Sequence, residues 1–243
     1  MGKDADGNVS KLSKRHGATG FYDLIDEGYL PEAIINYIAL LGWCPKDNQE
    51  IFTLKELEKA FDISGISKSP AVFDYDKLSW FNGEYIKAMT PEKFTEVAMP
   101  YYKKVFGDKQ MPYEKFAAIL QKRTTQLTQI PEMLDFFAEL PSYTKELFVN
   151  KKSKTNLENS PVVLKEAYDR LKAMPEWNET SIHDCLINMA VEKELKNGTV
   201  MWPVRIAAAG KTVTPGGAVE ILDILGRDES LARLEKGMAI LAE

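Results

Sequence analysis

Glu229-Ser-Leu-Ala-Arg-Leu-Glu-Lys-Gly-Met-Ala-Ile-Leu241 sets apolar side chains at Leu231, Leu234, Met238 and Leu241. Steps of three and four residues gather such positions onto one face of a helix with 3.6 residues per turn. A half-buried strand would instead alternate at every second residue. The helical period returns through most of the chain. Phe21 to Gly28 reads as a short helix, and Pro31 to Leu41 as a second, with Pro31 in its first turn and Gly42 just past its end. Thr53-Leu-Lys-Glu56 has the form of a capping box and opens a helix to Phe61. Asp62 to Val72, which holds Gly65 and Pro70, is a loop, and Asp74 to Asn82 is a helix stopped by Gly83.

Longer elements follow. Thr90-Pro91 starts a helix ending near Gly107, Tyr113 to about Gln129 is a long amphipathic helix, and Pro131 opens one running to Leu140. Pro141 to Phe148 is short, and Asn150 to Asn159 is a polar, basic, exposed connector. Ser160-Pro161 starts a helix to Met174, and Thr180 caps one running to Lys196. Met201 to Val204 is the one strand candidate, or an extended segment, held so partly by Pro203. Arg205 to Ala209 and Gly216 to Leu225 are helical again. The expected fold class is all-α, divided near Thr90, with a further seam near residue 150.

Composition narrows the function. With 243 residues, 44% hydrophobic and 28% charged, the chain is ordinary for a globular protein. No apolar run approaches the roughly 20 residues that cross a bilayer. Met1 to Ser10 is polar and has the form of neither a secretory leader nor a transit peptide, so the chain reads as cytoplasmic, without a membrane partner. Cys44 and Cys185 lie far apart with no Cys/His grouping around them, so neither a metal site nor a disulfide is expected. His16 and His183 are isolated from the partners that catalysis or ligation needs. A net charge of −5 argues against coating nucleic acid through bulk charge, yet leaves room for a local basic stripe.

The most informative motif is Lys11-Leu12-Ser13-Lys14-Arg15, followed by His16-Gly17. Two lysines three residues apart, with a third cation beside them, can fold over a triphosphate and offset charge on a leaving pyrophosphate. For an arbitrary basic pentamer, a solvated loop is the commoner reading. The order of residues separates the two. The pentamer resembles the Lys-Met-Ser-Lys-Ser signature of class I aminoacyl-tRNA synthetases, in the variant ending Ser-Lys-Arg that glutamyl enzymes carry. Gly28-Tyr-Leu-Pro-Glu-Ala33, Asn36-Tyr37, Leu40-Leu-Gly-Trp43, Glu50-Ile-Phe-Thr53 and Val72-Phe-Asp74 also resemble that family. So do Lys77-Leu78, Trp80, Asn82-Gly83, Tyr85-Ile86, Pro203-Val-Arg205, Gly210, Thr214-Pro-Gly216 and Glu220-Ile-Leu222. From Lys11 onward the chain is similar to the C-terminal portion of a bacterial-type glutamyl-tRNA synthetase.

That resemblance implies a division of labour. Residues 1–20 would hold the ATP-closing loop and the end of a catalytic domain. Residues 21–89 would form a helical stem-contact region, and 90–243 an α-helical cage that reads the anticodon, in place of the β-barrels of eukaryotic and archaeal glutamyl enzymes. Lys14 takes the catalytic position that contacts ATP, with Lys11, Leu12, Ser13 and Arg15 completing the loop. Arg123, eight residues before Pro131, matches an arginine that reads the first anticodon base in discriminating members. A guanidinium suits that task because its fixed fork bonds two acceptors on one base edge; the competing reading is a surface helix arginine. Arg205 and the Thr214-Pro215-Gly216 turn match segments lying against the anticodon loop, although Thr214-Pro215 is equally an ordinary helix start. Gly217 stands where the family often has a bulky apolar residue.

Two further features carry paired readings. Trp80 is more often core than base platform. Lys151, Lys152 and Lys154 form a dense positive cluster that is either solvated or in contact with phosphate.

The family ligates glutamate to tRNA(Glu) with ATP and Mg²⁺, by way of glutamyl-adenylate. Neither its His-Ile-Gly-His-like signature nor a βαβ pattern with a Gly-rich turn occurs in this sequence. The chain is therefore expected to bind tRNA(Glu) as a monomer, to hold no cofactor, and to lack catalysis without an N-terminal catalytic domain. The alternative is a stand-alone, non-catalytic tRNA-binding or helical interaction module.

Overall fold

The apolar periods become helices almost throughout. The computed structural model describes residues 2–3, 9–10, 20–69 and 71–243, so the Lys11–Arg15 loop lies outside the described residues. The helices are α1 (Phe21–Asp26), α2 (Pro31–Gly42), α3 (Leu54–Ala60), α4 (Tyr75–Ala88), α5 (Pro91–Phe106), α6 (Tyr113–Leu120), α7 (Ile130–Ala138), α8 (Asn159–Ala173), α9 (Glu179–Glu192), α10 (Asn197–Ala209), α11 (Ala218–Leu225) and α12 (Arg227–Ala242). Among the described residues the strand content is one short antiparallel pairing, Gly2–Lys3 with Val9–Ser10. The all-α expectation holds.

Two units emerge from the packing. The first comprises residues 1–102 with 121–130, and the second 103–120 with 131–243. The chain changes unit inside α5, again after α6, and a third time at the start of α7.

In the first unit α2 packs on α4. Leu24, Tyr29, Ile34, Tyr37, Phe73, Leu78 and Phe81 form its main core, with Tyr37 edge-on to Phe73 at 5.1 Å. Trp43, Phe52 and Leu57 form a smaller cluster. The capping box at α3 is present: Thr53 Oγ1 accepts from the Glu56 amide at 3.2 Å, and Glu56 Oε2 accepts from the Thr53 amide at 2.7 Å. The Thr53 amide, and after it the Thr53 hydroxyl, hold the exposed Glu56 carboxyl below its usual range.

The second unit is organised on α10, against which α8, α9, α11 and α12 all pack. Here the sequence expectation for Met201–Val204 is overturned, because those residues lie inside α10 rather than in an extended segment. Pro203 removes a helical hydrogen bond at a cost of about 3 kcal/mol. Val200, Val204 and Ile206, each fully buried, contribute about 1.5–3 kcal/mol apiece in return. Burial wins, and the helix continues to Gly210, which closes it in the left-handed conformation at φ 63°.

Three other expectations are corrected. Gly83 does not end α4, which runs on to Ala88. It is glycine for close approach instead: a Cβ there would meet Thr125 Cγ2 at 3.3 Å. The single helix expected over Tyr113–Gln129 stops at Leu120, because residues 121–130 turn back to bond with the first unit. Asn178, not Thr180, caps α9, its side chain accepting from the Ser181 amide at 2.9 Å.

Candidate nucleic-acid interface

Arg123 lies in the turn that follows α6, not on a helix face. Both flanks of this turn are tied down. On one side Gln121 Nε2 donates to the carbonyls of Ile86 and Met89 at 3.0 and 2.7 Å, at the end of α4 where carbonyls lack helical partners or hold only a capping bond. On the other, Asn82 Nδ2 donates to the Thr125 carbonyl at 2.7 Å, and Gln129 Oε1 accepts from the Thr125 and Gln126 amides, each at 3.3 Å. The Leu127 amide reaches the Gly28 carbonyl at 3.0 Å, and Thr128 Oγ1 the Glu27 carbonyl at 2.7 Å. Gly28 is obligatory in this arrangement: its φ is +90°, and a Cβ would stand 2.6 Å from the Thr128 amide nitrogen. Lys122 and Arg123 remain exposed at the apex. The Arg123 guanidinium has no hydrogen bond or ion pair with a described residue.

The other predicted residues gather in the second unit, around the end of α10 and the loop after it. The Arg205 guanidinium lies 4.6 Å over the Trp202 ring, and its Nη2 donates to the Thr212 carbonyl at 2.9 Å. The ring is itself fixed, through Trp202 Nε1 to the Leu147 carbonyl at 2.9 Å, so the cation–π contact and the bond to Thr212 together restrain the guanidinium. Lys211 Nζ anchors the loop to Asp135 Oδ1 at 2.6 Å and to the Glu132 carbonyl at 3.1 Å. Thr214 is buried, with its hydroxyl donating to the Gly216 carbonyl at 2.7 Å, and Pro215 is buried beside it. Gly216 sits against Ile119, and the Gly217 amide donates to Glu220 Oε2 at 3.0 Å, opening α11. Thr214 and Pro215 therefore shape the turn from inside. Its outward face is Thr212 and Val213, the latter 83% exposed. Sequence reasoning passed over Val213; its one signal was an apolar side chain isolated within a polar turn.

Thus Arg205, near the end of α10, is tied to the loop that holds Thr214 and Pro215, whereas Arg123 belongs to the other unit. Trp80 departs from the core reading: it is 44% exposed and touches Phe81 edge-on at 5.0 Å. Among the described residues no group of three or more His, Cys, Asp or Glu is placed to hold a metal ion. Nor is any helix of the described chain long and apolar enough to cross a membrane.

Residues 93–238 match the model of the anticodon binding domain family, well over half of the chain. The chain belongs to that family. Residues 5–80 match the catalytic domain of class I tRNA synthetases for E and Q. The glutamate–tRNA ligase of Clostridium kluyveri is 51% identical over 228 residues, covering 94% of this chain and 47% of that protein. The Clostridium tetani ligase is 49% identical over 229 residues with the same coverage. A crystal structure of a glutamate–tRNA ligase from Elizabethkingia meningosepticum superposes with a TM-score of 0.78 at 28% identity, over 96% of this chain and 49% of that one. The chain spans about half the length of the relatives it matches.

Proposed function

We propose that this chain is the tRNA-reading portion of a glutamate–tRNA ligase, which joins L-glutamate to tRNA(Glu) with ATP through glutamyl-adenylate. The observation that carries the reading is the succession, in one chain, of a catalytic-domain stretch at 5–80 and an anticodon-binding domain at 93–238. Residues 1–20 then contain the ATP-closing loop, 21–89 the stem-contact helices, and 90–243 the anticodon-reading helices. Within the loop Lys14 contacts ATP, and Lys11, Leu12, Ser13 and Arg15 shape it. ATP and Mg²⁺ belong to the intact enzyme's adenylation step. On this reading the chain binds tRNA(Glu) as a monomer and works with the ligase's catalytic portion for chemistry.

Arg123 reads the first anticodon base. A guanidinium with free donors, on a turn bonded at both flanks, meets a base edge with little ordering left to do. Arg205 contacts the anticodon loop with its guanidinium restrained over the Trp202 ring, and Thr214-Pro215 fixes the turn that presents Thr212 and Val213. Filter binding of tRNA(Glu) and tRNA(Gln) over a salt series tests this reading. Binding should be steeply salt-dependent and favour tRNA(Glu). Arg123→Gln should narrow that preference by about 1–3 kcal/mol, the worth of one bidentate base contact. An unchanged preference would remove Arg123 from the site, and no tRNA binding at all would remove the function.

A further inference from the structure

Lys151-Lys152-Ser153-Lys154 is a stretch that the anticodon site does not use. No other four consecutive residues of the sequence hold three cations, and residues 150–159 contain a single acid, Glu158. All three lysines are exposed, and none forms an ion pair with a described residue. Lysines elsewhere are commonly neutralised: Lys77 by Glu50, Lys115 by Asp223, Lys165 by Asp169 and Lys211 by Asp135. In a chain of net charge −5, this turn concentrates positive charge that the fold does not use.

The turn is also fixed, which a merely solvated loop has no need to be. Asn150 and Thr155 exchange backbone hydrogen bonds at 3.1 and 3.0 Å across its base. Asn150 Oδ1 accepts from the Ser153 amide at 2.9 Å, Asn159 Nδ2 donates to the Lys154 carbonyl at 2.9 Å, and buried Thr155 Oγ1 donates to the Phe148 carbonyl at 2.7 Å. Thr199, in the first turn of α10, donates to the Ser153 carbonyl at 2.7 Å. Lys154 holds φ at 55°, a left-handed conformation that glycine or asparagine adopts at lower cost. The fold holds a lysine there despite the backbone cost. Arg205 lies six residues beyond Thr199 on the same helix, about 9 Å along its axis. One rigid element thus carries the basic turn at its start and the Arg205 loop at its end.

We infer that the 151–154 turn is a preformed platform for consecutive phosphates of an RNA strand, an interaction surface of the same tRNA-binding unit; this rests on the proposed tRNA-reading function. Phosphates recur at regular spacing, so cations on a fixed turn engage them with their backbone already ordered. Contacts of this kind carry no base information; they position the strand for the residues that do.

The test uses the full chain and a tRNA(Glu) transcript in filter binding across a potassium chloride series, with thermal unfolding as a folding control. The triple variant Lys151→Gln, Lys152→Gln, Lys154→Gln should flatten the slope of log K against log salt by about 2–3, near 0.7–0.9 for each phosphate that is no longer neutralised. The pair Lys151→Gln, Lys152→Gln leaves the left-handed position untouched and should lose about two-thirds as much. The corresponding arginine triple should keep the wild-type slope. Preference for tRNA(Glu) over tRNA(Gln) should stay unchanged in all three. A wild-type slope in a folded glutamine triple would overturn this inference alone, whereas an unsubstituted chain that binds no tRNA would overturn it together with the function it rests on.

Discussion

The first unit is held by polar side chains that reach across the chain, the second by helices packed around one buried rod. In the first, Asn82 Oδ1 accepts from the Leu30 amide at 2.8 Å, while its Nδ2 donates to the carbonyls of Gly28 and Thr125 at 3.3 and 2.7 Å. Asn36 does similar work: its Oδ1 accepts from the Phe52 amide at 2.9 Å and its Nδ2 donates to the Glu50 carbonyl at 3.0 Å. Both asparagines are fully buried. They satisfy backbone groups in segments too irregular to satisfy one another. In the second unit α8 to α12 pair much of the backbone within themselves, and Val204, Ile206, Leu164, Leu186 and Leu222 supply apolar burial. The two units therefore differ in what can be changed. A polar tie between loops has no substitute, whereas a helix-on-helix contact tolerates any side chain of suitable volume.

Asn82→Ala should test that contrast most severely. It strands the Leu30 amide and the Thr125 carbonyl where water has little access, and takes from the Gly28 carbonyl one of its two donors, the Leu127 amide remaining. At about 1–3 kcal/mol for a buried group left unpaired, the loss should reach about 3 kcal/mol, read as a lower urea midpoint. The 121–130 segment should also exchange its amide hydrogens faster, because Asn82 is one of its ties to the first unit. A variant as stable as the wild type would mean that the segment is held by other bonds.

The nearest counterpart in the second unit is Arg233, only 4% exposed. Its Nη1 donates to the carbonyls of Phe136 and Ala208 at 2.7 and 2.9 Å, and its Nε to Glu229 Oε1 at 2.6 Å. Arg233→Met removes the buried charge together with its bonds and keeps the volume. The Glu229 side chain is 52% exposed and returns to water, so no buried charge is left alone. The expected cost is about 1–2 kcal/mol in the same urea titration, smaller than that of Asn82→Ala. The reverse order would show that the second unit depends on this buried polar tie more than on packing.

The same contrast explains what the sequence made legible. α2 with Pro31, the Thr53–Glu56 box at α3 and the period of α12 are local signals, and each formed as expected. The misreadings involve partners far along the chain. Gly83 punctuates nothing because Thr125 needs its space, and the Tyr113–Gln129 period breaks at Leu120 because Gln121 is claimed by Ile86 and Met89. Met201–Val204 is helical because α10 is enclosed by four other helices, which no local window reveals. Of the candidate site, Arg123 and Arg205 came from family resemblance, since a lone arginine carries no spacing signal. The inward roles of Thr214 and Pro215, and the exposure of Val213 and Trp80, depend on packing that the sequence does not state.

A pair of tyrosines provides the finest comparison. The Tyr85 hydroxyl in the first unit lies 2.7 Å from Asn36 Oδ1 and also bonds to the Phe52 carbonyl. Tyr143 in the second reaches the Ala207 carbonyl at a long 3.4 Å. Burial is the leading cause that pushes each phenol up to about 12 from its ordinary 10. A folded-state pKa above the unfolded value means the native fold favours the neutral phenol. That stabilisation is complete below pH 10 and is lost as pH rises through about 12. Tyr85→Phe and Tyr143→Phe should therefore each lessen the loss of stability between those limits in unfolding titrations. At pH 7 they should part: Tyr85→Phe gives up one hydroxyl proton held between two close acceptors, worth about 1 kcal/mol, and Tyr143→Phe only a few tenths, near the lower bound for a weak bond. Equal costs at pH 7 would erase the distinction between a unit tied by hydrogen bonds and a unit held by packing.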